Sequence, residues 1–214
     1  MENNIVDMLI SGMGKLKIEH EQTELDQLLA YLHLLRKWNN HYNLTSNMTD
    51  EAMVVSHLLD SLSIGPLLPR LPSRIIDIGT GAGLPGLVLA IVYPMHHFTL
   101  LDSNGKKTRF LTQVCIEQKI SNCEIIHARA TEYKGQEFDI IVSRALSSLL
   151  KFFNDTRHLL NPTGHWWAMK GKYPKTELAE IDGSANVADV IRLEVPNLNE
   201  QRHLVIARPK GTKN

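Results

Sequence analysis

The sequence predicts an α/β protein: a doubly wound, seven-stranded, mostly parallel sheet with a helical extension on its N-terminal side. Three observations lead there. Beyond Pro72, short apolar runs alternate with amphipathic stretches, the rhythm of strands joined by crossover helices. A glycine-rich turn, Asp77-Ile78-Gly79-Thr80-Gly81-Ala82-Gly83, falls where the first of those runs ends and the first amphipathic stretch begins. Before residue 70 the apolar side chains recur at helical spacing instead.

Taken in order, Leu25, Leu28, Leu29, Leu32 and Leu35 lead at helical steps into Trp38, so residues 22 to 39 form one amphipathic helix. Thr49 is placed to cap a second, in which Ala52, Val55, His57, Leu58 and Leu62 follow until Gly65-Pro66 ends it. The strands then run Ile75 to Ile78, Phe98 to Leu101, Ile125-Ile126, Phe138 to Val142, Gly164 to Met169, Val187 to Leu193 and His203 to Ala207. Helices are predicted between them at Leu84 to Val92, Lys106 to Gln118, Ser147 to Leu160 and Pro174 to Ile181. No repeat, low-complexity tract or Pro/Gly/Ser-rich linker separates the parts. Residues 1–70 are therefore read as a helical extension packed on a sheet domain of residues 71–214, the two forming one composite unit.

Composition narrows the function classes. With 214 residues, 43% hydrophobic and 21% charged, the chain is of the soluble globular type. Its 23 Lys plus Arg balance 23 Asp plus Glu, so a polyanion partner must meet a local patch rather than bulk charge. The front seventy residues are acidic, with five basic and nine acidic side chains, and the last 64 mildly basic, with ten and seven. Cys115 and Cys123 form no CxxC and have no histidine at zinc spacing, which points to a reducing compartment and no structural metal. The longest apolar run, Leu87 to Tyr93, is far short of a membrane span, and the first ten residues lack a basic leader. A soluble, cytoplasmic protein with no membrane partner is expected.

The glycine turn carries the chemistry. In open α/β sheets ligands bind beyond the carboxyl ends of the strands, where glycines allow close backbone approach and the following helix offers unpaired N–H groups. Gly81, Gly83 and Gly86 also satisfy the GxGxxG dinucleotide pattern. In that pattern the first glycine follows the strand directly; here that is Gly79, and the third glycine is then missing at Leu84. Asp77-x-Gly79-x-Gly81-x-Gly83 instead resembles the first motif of class I (Rossmann-like) S-adenosylmethionine-dependent methyltransferases, in which the acidic residue at the strand end helps to place the methionine part. Asp102 ends the second strand about twenty residues on, where a carboxylate can accept both ribose hydroxyls of a nucleoside. A strand-end Asp can also simply cap the next helix.

Along nearly its whole length the chain resembles the ribosomal RNA small subunit methyltransferase G family, also called glucose-inhibited division protein B. The resemblance is carried by Trp38-Asn39 with Tyr42-Asn43-Leu44-Thr45-Ser46, by His57-Leu58-Leu59-Asp60-Ser61, and by Asp77 to Gly86 with its Leu84-Pro85-Gly86 ending. It continues through Leu100-Leu101-Asp102-Ser103, Gly105-Lys106-Lys107 and Arg109-Phe110-Leu111, then Ser143-Arg144-Ala145, Lys170-Gly171 and Arg202-His203-Leu204-Val205. It implies a bacterial, cytoplasmic enzyme that uses S-adenosyl-L-methionine to methylate N7 of one guanosine in the 530-loop of 16S ribosomal RNA, free or in the small-subunit particle. The cofactor positions it implies are Gly79, Leu84, Ala130, Thr131 and Arg144. Ala130-Thr131 departs from the commoner pairing of a β-branched apolar residue with an acidic one, which leaves backbone contacts as those expected there.

Guanine N7 presents a lone pair, so transfer needs alignment rather than a general base, in keeping with a sequence that offers no nucleophile motif. Arg144, after the fourth strand, is the expected catalytic residue, donating to guanine O6 or holding the methionine carboxylate. Lys106, Lys107, Arg109 and Lys170 are the expected RNA-binding cations. Lys172 and Lys175 stand near Lys170, and Arg208, Lys210 and Lys213 form a basic tail. His57 and Asp60, three residues apart on one helix, are placed to share a hydrogen bond, and of Trp166 and Trp167 at least one should be core. The competing functions are a methyltransferase with a small-molecule or protein substrate, an NAD-type oxidoreductase and a noncatalytic protein with a vestigial loop. Asp77 and the intact glycines argue against the last.

Overall fold

The computed structural model describes residues 2–46, 48–144, 147–181 and 183–211. Ala145 of the Ser143-Arg144-Ala145 block and Lys213 of the basic tail lie outside the described residues. The helical front consists of α1 (Glu2–Lys15), α2 (Gln22–Tyr42), α3 (Asp50–Met53) and α4 (Asp60–Leu62), with a π-helical stretch at Val54–Leu59 and a 3-10 turn at Gly65–Leu67. The sheet region follows as β1 (Arg74–Ile78), α5 (Gly86–Val92), β2 (His97–Asp102), α6 (Gly105–Gln118), β3 (Cys123–His127), β4 (Phe138–Arg144) and α7 (Leu149–Thr156). It closes with β5 (Leu160–Lys170), α8 (Lys175–Ala179), β6 (Ala185–Leu193) and β7 (Arg202–Pro209).

The strands form one seven-stranded sheet in the order β3-β2-β1-β4-β5-β7-β6. β1 pairs in parallel with β2 and β4, and the parallel set extends to β3 and β5. β7 runs antiparallel between β5 and β6. The order reverses at β1, between β2 and β4, so the switch point where such sheets bind ligands lies directly above the glycine turn.

Alternation along the strands divides the core into two layers. Ile75, Leu100, Val142 and Trp167 face one cluster, which also holds Leu25, Leu28, Tyr31 and Leu35 of α2 and much of α5 and α6. Ile76, Leu101, Ile141 and Trp166 face the other, beneath α7. Both tryptophans are thus core, on opposite faces, and the indole N–H of Trp166 is satisfied by the Thr156 hydroxyl at 3.0 Å. The helical front shares the apolar core of one sheet face rather than standing apart from it.

Local chemistry explains the element ends. Glu21 and Glu24 form a reciprocal capping box that starts α2, and Asn43 ends it in the left-handed region at φ 48°. The Thr49 side chain accepts from Ala52 N at 3.3 Å, as the spacing predicts. The expected single helix after it is interrupted by the π stretch, a wider turn of the kind that accompanies functional sites. The helix predicted over residues 147–160 is shorter: Ser148 caps it, Thr156 ends it, and a 3-10 turn hands the chain to β5 at Leu160. Helix α1 falls within the stretch read as helical, and its Leu9 and Met13, four residues apart, are buried in the core.

Candidate active site

The glycine turn is held by its neighbours at every step. Gly79 N and Thr80 N both donate to the Leu101 carbonyl, at 2.8 and 3.1 Å, which ties the turn to the end of β2. Gly79, Gly81 and Gly83 all have positive φ, at 67°, 62° and 100°. A Cβ on Gly81 would meet nothing nearer than the Lys107 amine at 3.7 Å, so this position is uncrowded, although Gly79 and not Gly81 lines the cleft. One on Gly83 would strike Leu87 and Leu111 within 2.8 Å, and one on Gly86 would strike Leu100 and Asp77. Gly81 is uncrowded, whereas Gly83 and Gly86 let α5 pack.

Two carboxylates brace the turn from opposite sides. Asp102 accepts from Gly81 N at 2.9 Å through one oxygen and from Asn104 N at 2.8 Å through the other, and so bridges the glycine turn to the loop after β2. The cap of α6 is the Asn104 side chain, which accepts from Lys106 N at 2.9 Å, so Asp102 is not the cap. Each Asp102 oxygen keeps a further lone pair. Asp77 is fully buried; one oxygen accepts from the Thr80 hydroxyl at 2.7 Å and from Gly86 N at 2.8 Å, and the other has no partner among the described residues. Burial pushes its carboxyl up to about 6 against the opposing pull of those two hydrogen bonds. From the helical front, the Tyr31 phenol donates to the Ala82 carbonyl at 2.9 Å.

Above the turn lies a cleft of about 660 Å³, a size that suits a nucleoside-bearing ligand. Gly79, Asp102, Lys107, Ala130, Thr131 and Arg144 all line it. Arg144 lies at its edge, where one guanidinium nitrogen donates to the Ser56 carbonyl and to Asp60, both at 2.9 Å. Asp60 is 3% exposed and also accepts from Arg202 Nε at 3.0 Å, so one buried carboxylate holds two arginines. A second cleft of about 440 Å³ opens on the other side of Arg144, among His57, Asp60, Lys170 and Arg202. Burial, then the Arg144 charge, holds the His57 imidazole below its ordinary range. Among the described residues no group of three or more His, Cys, Asp or Glu is placed to hold a metal ion. Nor is any helix among them long and apolar enough to cross a membrane.

The family model described as rRNA small subunit methyltransferase G matches residues 24–205. The chain belongs to this family. It is 47% identical over 201 residues to the Ribosomal RNA small subunit methyltransferase G of Ectopseudomonas mendocina, covering 94% of both chains. To the protein of the same name from Pseudomonas aeruginosa it is 48% identical over 203 residues, again covering 94% of each. Among solved structures, a SAM dependent methyltransferase from Aquifex aeolicus matches with TM-score 0.58 at 18% identity, over 73% of this chain and 92% of that one. The ribosomal protein L11 methylase of Lactobacillus delbrueckii matches with TM-score 0.56 at 17% identity, over 77% and 81%. These last two establish the fold alone, and it is the class I methyltransferase fold predicted from the glycine turn.

Against that family frame, the predicted site residues divide into groups. Leu84 is 6% exposed in the core, and with Asp77 and Gly83 it lies beneath the turn rather than on the cleft wall. Lys106 and Arg109 stand exposed on the first turns of α6, whereas Lys107 turns into the cleft. Lys170, expected as a phosphate contact, instead donates to Glu177 at 2.8 Å and to the Ser147 carbonyl at 3.1 Å, so its charge is already matched. His57 and Asp60 do not bond each other: His57 Nε2 pairs with the Thr45 hydroxyl at 3.1 Å, and Asp60 takes the arginines. Sequence reasoning missed Tyr31, whose place in the apolar row of α2 already called for a hydroxyl partner. It also missed the union of Asp60, Arg144 and Arg202, for which the sequence carries no local signal.

Proposed function

We propose that this chain transfers the methyl group of S-adenosyl-L-methionine to N7 of one guanosine in the 530-loop of 16S ribosomal RNA, in the bacterial cytoplasm. The observation that carries the reading is the meeting of two clefts at Arg144, one floored by the glycine turn and the other open beside it. A transferase that joins two reactants needs such a pair of sites with one wall between them. The family names of its relatives supply the substrate class.

The residues fit the cofactor. Gly81 leaves open space where a side chain would stand, and Asp102 retains lone pairs for the ribose hydroxyls after bracing the turn. Gly79, Asp102, Ala130 and Thr131 would hold the nucleoside, while Asp77, Gly83 and Leu84 shape the turn from below. The cofactor supplies a methyl group on a sulfonium centre. Arg144, anchored by Asp60, is the positioning group at the shared wall and is placed to meet the guanine edge or the cofactor carboxylate. No group is required to take a proton from N7, and His57, held toward its neutral form, is consistent with that. Lys106, Lys107 and Arg109 are the phosphate-binding cations of this reading, and residues 1–70 and 71–214 work as one unit. The oxidoreductase alternative loses support because Gly83, the second glycine of its pattern and the one it would need beside a pyrophosphate, abuts Leu87 and Leu111.

The test is transfer of labelled methyl from S-adenosyl-L-methionine to small-subunit particles and to their extracted RNA, with the modified nucleoside mapped. One 7-methylguanosine in the 530-loop is expected. Label in another nucleoside, in protein, or in no RNA would overturn the reading.

A further inference from the structure

A third pocket, of about 230 Å³, lies between the C-terminal end of α2 and the loop that follows it. Met48 lines both this pocket and the cleft beside Arg144. The two are also joined through their wall, since Thr45, which lines the third pocket, bonds through its hydroxyl to His57, which lines the second. We propose that the third pocket receives the base of a nucleotide adjoining the methylated guanosine, so that the helical front reads one flanking base of a single-stranded RNA segment. This inference rests on the RNA-methylation reading above.

The wall is tied to α2 at one point, and polar side chains stand along its floor. Asn39 is 7% exposed and accepts from Thr45 N at 2.8 Å, fixing the loop against α2. The neighbouring Asn40 and Ser46 are exposed, and their side chains bond no other described residue. A carboxamide and a hydroxyl together offer donors and acceptors to a base edge, which is how unstacked bases are distinguished. Met48, 36% exposed on the partition, presents a soft apolar side chain against which a ring can lie.

Charge selects a base over a phosphate. Arg36, the one cation lining this pocket among the described residues, is paired with Asp50 at 2.5 Å. The second cleft carries Arg144 and Arg202 against Asp60 and Glu200, and its Lys170 is matched by Glu177, so it presents paired cations at its edge. An uncharged ring therefore suits the third pocket, which among the described residues offers a phosphate no unmatched cation.

The experiment uses the full chain, S-adenosyl-L-methionine, and small-subunit RNA carrying each base in turn at the two positions flanking the target guanosine. Single-turnover methylation by the unaltered enzyme is expected to vary on the order of tenfold with the base at one flank. In the double variant Asn40→Ala, Ser46→Ala that variation should shrink to within about twofold, with cofactor affinity by calorimetry unchanged; these exposed substitutions leave the fold intact. Equal flank preference in variant and parent would overturn the inference, as would an unaltered enzyme that methylates RNA with no preference at either flank. A loss seen only on assembled particles, with the preference on naked RNA retained, would assign the pocket to a ribosomal protein and equally overturn it. Absence of methylation by the unaltered enzyme would instead overturn the reading on which it rests.

Discussion

The Tyr31 phenol donates a 2.9 Å hydrogen bond to the Ala82 carbonyl, with both residues buried and 51 positions apart in sequence. One atom of the helical front thereby joins Leu101, Asp102 and Asp77 in holding the glycine turn. Burial pushes the phenol well above its ordinary range, which keeps the donor proton in place at neutral pH.

Tyr31→Phe should leave the Ala82 carbonyl without its partner and lower stability by about 1 to 3 kcal/mol. If the bond positions the turn, affinity for S-adenosyl-L-methionine should weaken several-fold as well. Urea melts and calorimetry on one preparation decide it: lower stability with unchanged affinity would reduce Tyr31 to a packing tether.

Asp102→Ala removes the acceptor for Gly81 N and Asn104 N together with the proposed ribose contact. Cofactor binding should weaken by about 1.5 to 3 kcal/mol, the scale for hydrogen bonds to a charged group. Asp102→Asn keeps one acceptor oxygen and should fall between variant and parent. Affinity that tracks stability alone across the three proteins would remove the ribose from the account.

Asp77 makes stability depend on pH. Its folded value of about 6 lies above the ordinary 3.8, so the native state binds the proton more tightly than the unfolded chain does. This contribution is fully present below pH 4 and is lost as pH rises through 6, at a cost of about 3 kcal/mol for the two-unit shift. Denaturant midpoints of the parent minus those of Asp77→Asn should decline between pH 4 and 6 and be flat above 7. An increasing difference would reverse the sign and refute the raised value.

Arg144→Ala should separate transfer from binding. Asp60 keeps Arg202 as a partner, so the buried carboxylate is not stranded and the fold should persist. Single-turnover methylation should drop by on the order of a hundredfold, the scale for losing one preorganised donor. Lys106→Glu, on the exposed first turn of α6, should instead lower RNA affinity and its salt slope by about 0.7 per lost contact. Equal losses of rate and slope in both variants would mean that positioning and phosphate binding are not divided between these residues.

Much of this architecture is written locally and so was legible. The glycine turn, its strand and its helix are contiguous, and Thr49 and the leucine row of α2 announce their roles within a few residues. Composition and spacing could not order the strands, since the alternation reads the same whether β7 pairs parallel or antiparallel. The partners of charged side chains were hidden for a different reason. Asp60 meets Arg144 across 84 positions and Arg202 across 142, and no periodicity spans such distances. Lys170 looked available because Glu177, seven residues on, reaches it only once α8 folds back. The π stretch was missed because its apolar residues fit an ordinary helix nearly as well.

The antiparallel strand β7 divides the site into two parts of different origin. The hydrogen bonds that hold the glycine turn from β2 and α2 come from residues that precede β5 in the chain, and so, among the described residues, does the lining of the first cleft. Arg202 stands on β7, and it gives Asp60 the second of its two arginines and the second cleft one of its walls. A substitution in β7 can thus reshape the acceptor side through Asp60 without replacing any residue that lines the donor side.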